Sequence, residues 1–245
     1  MDAHEPHLIP LLPASALYRE KALVQRAGQA RQCAAGFDPT PALRAIAERA
    51  RREGLGDLAA DFLPELCFEQ DFAVLDGSTG RVPWLCVCVP SHWTPEEKLG
   101  LTLGEIHTPV ADSVALHAAT AGLIKLATSG ECWERFVWTL TPSNRYDQHP
   151  LRHRRAPWSD THDIDALAQS CYLRSERQTF FPVPGCRQAV FTIKVELEPL
   201  TSSVSAAPAA QRLHDSLHSM TEAALAYKGL TPVRARLLRW LAKRF

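Results

Sequence analysis

The chain has 245 residues with 27 basic and 27 acidic side chains, and 46% of its residues are hydrophobic. A formal net charge of zero gives no electrostatic reason to expect binding to nucleic acid or to an anionic membrane. The apolar fraction is ordinary for a globular protein, and the chain is long enough to bury a sizeable core. Composition therefore predicts a globular protein and excludes a highly charged or disordered one.

The N-terminal sequence MDAHEPHLIPLLPASAL is interrupted by prolines and lacks the basic and long apolar regions of a secretory signal. No apolar run is long enough to span a bilayer. The seven cysteines have irregular spacing, and they include no CxxC or CxxCH motif. Cys86 and Cys88 form a CxC pair, for which buried thiols are favoured over a metal or redox site. These features predict a cytoplasmic protein with reduced cysteines.

The first elements are helical and are followed by a hairpin. Thr40 and Pro41 predict a helix start, and Gly54 predicts its end. The following GxGxxA match comes after a helix rather than a strand, so we expect no flavin or nicotinamide site there. Strands are predicted over Leu66–Leu75 and Val82–Val89, because two glycine-containing turns separate these apolar segments.

The next segment predicts a helix that begins at Thr94 and ends at His107. Glu97 would complete a capping box with Thr94. Gly100, Gly104 and His107 recur at helical spacing beside an apolar stripe. Glycines at these positions would let a flat group approach the backbone next to the imidazole. Tight packing of the helix on a sheet is the alternative interpretation.

The remaining chain predicts a helix, three strands and a C-terminal helical pair. The strands are Trp133–Thr141, Tyr172–Phe181 and Ala189–Leu197, with a long loop over residues 142–169. We therefore predict an α+β fold, with a PAS-like five-stranded antiparallel sheet that has helices on one face. Residues 1–64 would form an N-terminal extension, 65–200 the core and 201–245 a C-terminal helical hairpin, together in one structural domain.

Polar side chains alternate along the second of these three strands. Arg174, Glu176 and Gln178 share one strand face, because successive side chains point to opposite faces. If this face is interior, each of them needs a hydrogen-bonding partner. The alternatives are a solvent-facing amphipathic strand, or a register shifted by one residue that turns Leu173, Ser175 and Arg177 inward.

Eight segments of the chain resemble a known family, the haem-dependent oxidative N-demethylase alpha-subunit-like family. They are FEQDFAVLD, PSHWTPEEKLG, EIHTPV, RFVWTLTP, DQHP, LRSERQTF, AVFTIKVELEPL and YKG, and they extend from Phe68 to Gly229. The chain departs from the family pattern at Ala111, which follows Val110 where a second proline is usual.

The resemblance implies a PAS-like fold that binds haem b without a thioether link. It also implies a monooxygenase-type oxidoreductase subunit that removes a methyl group from a small methylated amine with O2 and releases formaldehyde. Electrons would come from a separate reductase subunit. The alternatives are a non-catalytic haem-based gas-sensing module and a haem-free PAS-like interaction domain.

The resemblance assigns roles to the residues singled out above. His107 is the expected ligand of the haem iron, and a neutral imidazole is a common axial ligand. His117 on the next helix is its rival, and His149 in DQHP would contact the cofactor or the substrate.

The polar strand would complete the expected site. Arg174 would bind a haem propionate through a forked pair of hydrogen bonds. Glu176 would hold the substrate ammonium or relay protons, and Gln178 would orient one of these groups.

Overall fold

This computed structural model describes residues 6–108 and 113–245, without the side chains of residues 113–117. The described residues form six strands, ten α-helices and one 3-10 turn (Pro95–Glu97). The strands are β1 (Arg31–Cys33), β2 (Asp71–Asp76), β3 (Trp84–Cys86), β4 (Trp133–Thr141), β5 (Tyr172–Pro182) and β6 (Gln188–Pro199). The helices are α1 (Ala16–Arg26), α2 (Thr40–Arg52), α3 (Pro64–Cys67), α4 (Leu103–His107), α5 (Ser113–Ala127), α6 (Ile164–Gln169), α7 (Leu200–Ser203), α8 (Ala207–His218), α9 (Glu222–Lys228) and α10 (Arg234–Leu241).

The strands form one antiparallel sheet in the order β1-β3-β2-β6-β5-β4. The predicted α+β class is confirmed, but the described sheet has six strands rather than the predicted five. The additional strand is β1, in which Gln32 lies opposite Leu85 of β3. Three residues at a sheet edge are too few to show the alternation by which a strand is recognised in a sequence.

Helices cover both faces of the sheet, so the prediction of helices on one face was wrong. On one face, Val74 of β2 belongs to an apolar cluster with Ile46 of α2. On the other face, Leu75 belongs to a cluster with Ile106 of α4. Because β2 is buried over nearly its whole length, its side chains need cover on both sides.

The single helix predicted to end at His107 is interrupted. The 3-10 turn is separated from α4 by Gly100, whose φ of 73° lies in the left-handed region that glycine adopts readily. Thr102 then caps α4 in a capping box with Glu105. The predicted box at Thr94 is replaced by this second one.

The segment between the two helical pieces pairs with the chain that precedes β3. Gly100 donates its backbone N–H to the Val82 carbonyl at 2.8 Å, and Val82 donates to Leu101 at 2.9 Å. This pairing explains why the strand that was predicted to begin at Val82 begins instead at Trp84; the strand also ends earlier than predicted, at Cys86 rather than Val89.

The C-terminal helices share a separate apolar cluster with the end of the sheet. Trp240 of α10, Leu217 of α8 and Leu225 of α9 are fully buried in it, together with Leu140 of β4. The predicted loop over residues 142–169 ends in α6, which contributes to the same cluster. The proposed division at residues 64 and 200 stays a prediction.

No helix among the residues that the structure describes has both the length and the apolar character needed to cross a bilayer. All seven cysteines are free thiols. Cys86 and Cys88 are buried as predicted, and burial raises the pKa of both thiols. A raised pKa keeps these thiols protonated and therefore unreactive.

A buried ion pair joins α1 to the sheet. The Nζ of Lys21 lies 3.0 Å from Oδ1 of Asp71, and both side chains are almost completely buried. Lys21 also donates to the carbonyls of Phe68 and Gln70, while Asp71 accepts the backbone N–H of Val89. These hydrogen bonds provide the partners that buried charges require.

We expect Lys21→Met to lower the free energy of unfolding by about 3–5 kcal/mol, because it leaves the Asp71 carboxylate buried without its counter-charge. Urea denaturation measures this loss. Lys194→Met is the control, since Lys194 pairs with the exposed Glu196 and should cost less than about 1 kcal/mol. Equal losses in the two variants would contradict the prediction.

Candidate active site

The polar alternation on β5 faces the side of the sheet that α4 and α5 cover. Phe180 shares a strand face with Gln178, and its ring stacks on Phe191 with the centroids 4.5 Å apart. Both rings pack against the cluster that includes residues of α4 and α5. The set Arg174, Glu176 and Gln178 therefore lies on this face, which we call the α4–α5 face. The side chains of the alternative register lie on the opposite face, where Arg177 is also buried.

Arg174 is buried, and protein atoms receive its hydrogen bonds. Its Nη2 donates to the Val89 carbonyl at 2.8 Å, and its Nη1 donates to the Tyr146 carbonyl at 2.8 Å. Its Nε donates to the Ser91 hydroxyl at 2.7 Å. Burial lowers the pKa of Arg174, and the carboxylate of Glu176 opposes this effect.

Glu176 accepts one hydrogen bond at each carboxylate oxygen. The Ser91 hydroxyl donates to Oε1, and the Gln178 amide donates to Oε2 at 2.7 Å. Gln178 in turn accepts a hydrogen bond from Nε of Arg135 at 2.6 Å. Each donor to Glu176 is thus oriented by an arginine, Arg174 at one end of this chain of contacts and Arg135 at the other. We call these five side chains the Glu176 network.

The segment after β3 supplies part of this site. Its residues were not among the predicted site residues, although the segment belongs to PSHWTPEEKLG. Ser91 bridges Arg174 and Glu176, and His92 follows it directly. Among the described residues, His92 is the one non-glycine with a positive φ, of 60°. Non-glycine residues in this conformation are uncommon, and they recur at functional sites.

The imidazole of His92 is partly buried and lies in a positive field. Burial, followed by the charges of Arg155 and Arg174, lowers its pKa to about 4. The ring is therefore neutral at physiological pH.

The C-terminal end of α9 also reaches the network. Burial raises the pKa of Tyr227 and lowers that of Lys228, and the charge of Glu176 acts on both groups. The Nζ of Lys228 donates to the Trp138 carbonyl of β4 at 2.6 Å. The guanidinium of Arg155 donates to the Lys228 carbonyl at 3.2 Å. Neither α9 residue was a predicted site residue, although both belong to the YKG segment.

His107 is in the last turn of α4, as predicted, and is half-buried. Its Nδ1 lies 2.7 Å from the Leu103 carbonyl. In a neutral ring this hydrogen bond places the proton on Nδ1 and the lone pair on Nε2, which is the tautomer common among metal-binding histidines.

The other two candidate histidines differ from each other. His117 lies in α5, and its side chain is outside the described residues. His149 is buried, with Nε2 3.1 Å from Glu96 and with Nδ1 accepting the Leu151 N–H. In the structure His149 holds the loop against the 3-10 turn, and its contact with a cofactor or substrate stays a prediction. Val110 and Ala111 are also outside the described residues.

Comparison with known proteins gives one family match. The sequence model of the family described as haem-dependent oxidative N-demethylase, alpha subunit-like, matches residues 63–238. The chain belongs to this family. The match includes β2 to β6 and most of the C-terminal helices, and so it contains the whole Glu176 network and His107.

Membership in the N-demethylase alpha-subunit-like family gives the Glu176 network a chemical context. The family name specifies haem dependence and oxidative demethylation. Among the described residues, no group of three or more His, Cys, Asp and Glu side chains could hold a metal ion. A haem iron needs only one such protein ligand, since the porphyrin supplies four nitrogens.

We expect the neutral state of His92 to make stability depend on pH. The unfolded chain binds a proton at His92 near pH 6.5 and the folded chain near pH 4, so stability rises with pH between these values. The expected contribution is about 1–2 kcal/mol, less than the whole shift because solvent reaches part of the ring.

Urea denaturation of wild type and His92→Asn at pH 4.5 and pH 7 measures this contribution. Asparagine tolerates a positive φ, so the variant retains the backbone conformation. The difference in stability between the two pH values should shrink in His92→Asn. It should not change in the control His162→Asn, whose side chain is exposed. If the difference in stability between the two pH values does not shrink in His92→Asn, His92 is not the source of the pH dependence.

Proposed function

We propose that the chain is the haem-binding, catalytic subunit of an oxidative N-demethylase. It would bind haem b, O2 and a small methylated amine, and it would release formaldehyde and the shorter amine. Electrons would come from a separate reductase subunit. The observation that carries this proposal is the Glu176 carboxylate, held by neutral donors on a covered sheet face in a chain of this family.

The α4–α5 face has the apolar surface that a porphyrin requires. The helix α5 is rich in apolar residues, yet Leu126 on it is 38% exposed. A helix without a polar face is normally buried. On β4, Trp133 and Val137 lie opposite Phe180 and Glu176 and are 37% and 38% exposed. A flat apolar group between α5 and β4 would cover these side chains.

His107 would hold the iron of this haem. Its Nδ1 hydrogen bond to Leu103 fixes the ring and directs the lone pair to Nε2. Two cavities, of about 130 and 410 Å³, are lined by other residues, including Asp147 in the first and Lys194 in the second. The haem would therefore lie against the partly open surface beside α4 and not in either cavity.

The protein's own contribution is to bind and orient the amine. Each carboxylate oxygen of Glu176 has one lone pair that accepts from Ser91 or Gln178, and a second remains for a substrate N–H. Arg174 and Arg135 fix the directions of these two donors, so the carboxylate is held in one orientation before the substrate binds. When bound, haem supplies the oxygen activation and electron transfer that side chains cannot provide.

The proposal also includes a location in the cytoplasm. The seven free cysteines, including the exposed Cys33 and Cys186, fit a reducing environment such as the cytoplasm.

We expect His107→Ala to weaken haem binding by at least about tenfold, because it removes the iron ligand. Titration of the purified protein with haem, followed by the Soret band, measures the affinity. His214→Ala is the matched control, since His214 on α8 contacts Asp215 and Phe245. A normal Soret band and affinity in His107→Ala would assign the ligand to another residue.

We expect Glu176→Gln to retain haem but to lower the turnover of methylated amines by about 100-fold or more, because the carboxylate that orients the amine is lost. Formaldehyde release in the presence of an electron donor measures turnover. Glu196→Gln, a charge removal at an exposed position of β6, should leave turnover unchanged. Unchanged turnover in Glu176→Gln would exclude Glu176 from the reaction.

A further inference from the structure

The charges around the Glu176 network are unequal in number. Arg135, Arg155, Arg174 and Lys228 are close enough to influence the groups of the site. Glu176 is the one described carboxylate whose charge acts on both Arg135 and Lys228. None of the four cations forms an ion pair within 4 Å with a carboxylate of the described residues. Around Arg135 and Lys228 the positive charge therefore exceeds the negative charge, whereas Arg174 has further carboxylates nearby.

Three of these cations are directed to backbone carbonyls. Arg174 donates to Val89 and Tyr146, Arg155 to Lys228, and Lys228 to Trp138. These hydrogen bonds satisfy part of each cation's donor capacity but do not neutralise its charge.

Arg135 differs from the other three. It projects from β4 to the α4–α5 face, opposite Gln178. Its Nε donates to the Gln178 amide oxygen, which fixes one side of the guanidinium plane. Its two terminal nitrogens make no hydrogen bond to a described residue. The residue as a whole is exposed, although partial burial of the guanidinium lowers its pKa. A guanidinium held in this way can bind a carboxylate through two parallel hydrogen bonds.

We propose that Arg135 binds a carboxylate of the ligand beside Glu176. This inference rests on the proposed function and adds a second anchoring point to the site. The carboxylate belongs either to a haem propionate or to the substrate itself. In the second case the substrate is a zwitterionic N-methyl amino acid, with its nitrogen at Glu176 and its carboxylate at Arg135.

The experiment compares wild type, Arg135→Gln and the control Arg26→Gln, which removes the same charge from an exposed position of α1. Haem and haem dimethyl ester, whose propionates are uncharged, are titrated by absorption. N-methylglycine and dimethylamine are titrated into the haem-free protein by calorimetry. Arg135→Lys retains the charge but cannot form two parallel hydrogen bonds. Its affinity for the ligand that carries the carboxylate should lie between the affinities of wild type and Arg135→Gln.

If the carboxylate is a propionate, Arg135→Gln weakens haem binding about tenfold or more and leaves the dimethyl ester unaffected. If it belongs to the substrate, haem binding is unchanged, and the affinity for N-methylglycine falls by a larger factor than that for dimethylamine, which loses only the support that Arg135 gives to Gln178. The proposal is overturned if Arg135→Gln equals Arg26→Gln with every ligand, if haem binding is unchanged and both amines lose affinity equally, or if wild type binds neither haem nor N-methylglycine.

These outcomes are distinct from those for the proposed function. If wild type takes up no haem but binds N-methylglycine through Arg135, the carboxylate site is supported and the demethylase function is contradicted. If the protein binds haem through His107 and Arg135→Gln has no effect, the demethylase function is supported and the carboxylate site is contradicted.

Discussion

The burial of one guanidinium organises the site. Arg174 on β5 donates to carbonyls of two different segments and to the Ser91 hydroxyl, and it has almost no contact with solvent. A guanidinium has five N–H donors in a fixed plane, so its partners must adopt positions that this plane allows. Arg174 therefore sets the position of the segment after β3 relative to β5. The orientation of Glu176 follows, because Ser91 is part of that segment.

The segment after β3 leaves the sheet but keeps its backbone hydrogen bonds. Asp71 accepts the Val89 N–H, Arg174 binds the Val89 carbonyl, and Arg152 binds the Cys88 carbonyl. Charged side chains thus replace the neighbouring strand that would otherwise satisfy these buried groups. With its backbone fixed on this side, the chain can maintain the left-handed conformation of His92.

The sequence predicted the elements whose signals are local. The α+β class, the helix after Thr40 and the shared face of the polar residues on β5 follow from caps, turns and alternation. The helix before His107 was predicted as one piece, because its break at Gly100 depends on pairing with Val82. The packing of α2 on the second face of the sheet also depends on long-range contacts, which local sequence signals do not reveal.

The candidate site was predictable in part for the same reason. Glu176 and Gln178 are two residues apart, and alternation relates them. Ser91 meets them only through a contact that joins positions 85 residues apart, and Arg135 through one that joins positions 43 apart. A polar Ser-His pair at the end of an apolar strand was the available signal for the first of these. For Arg135 the only signal was its position at the start of the RFVWTLTP segment.

The hydrogen bond from Lys228 to Trp138 has a consequence beyond the site. Because β4 is an outer strand of the sheet, its outward carbonyls could accept a strand from another molecule. The ammonium of Lys228 occupies one of these carbonyls and places a charge at the edge. The end of α9 therefore covers part of this sheet edge, so the protection of the edge and the geometry near Glu176 involve the same helix end.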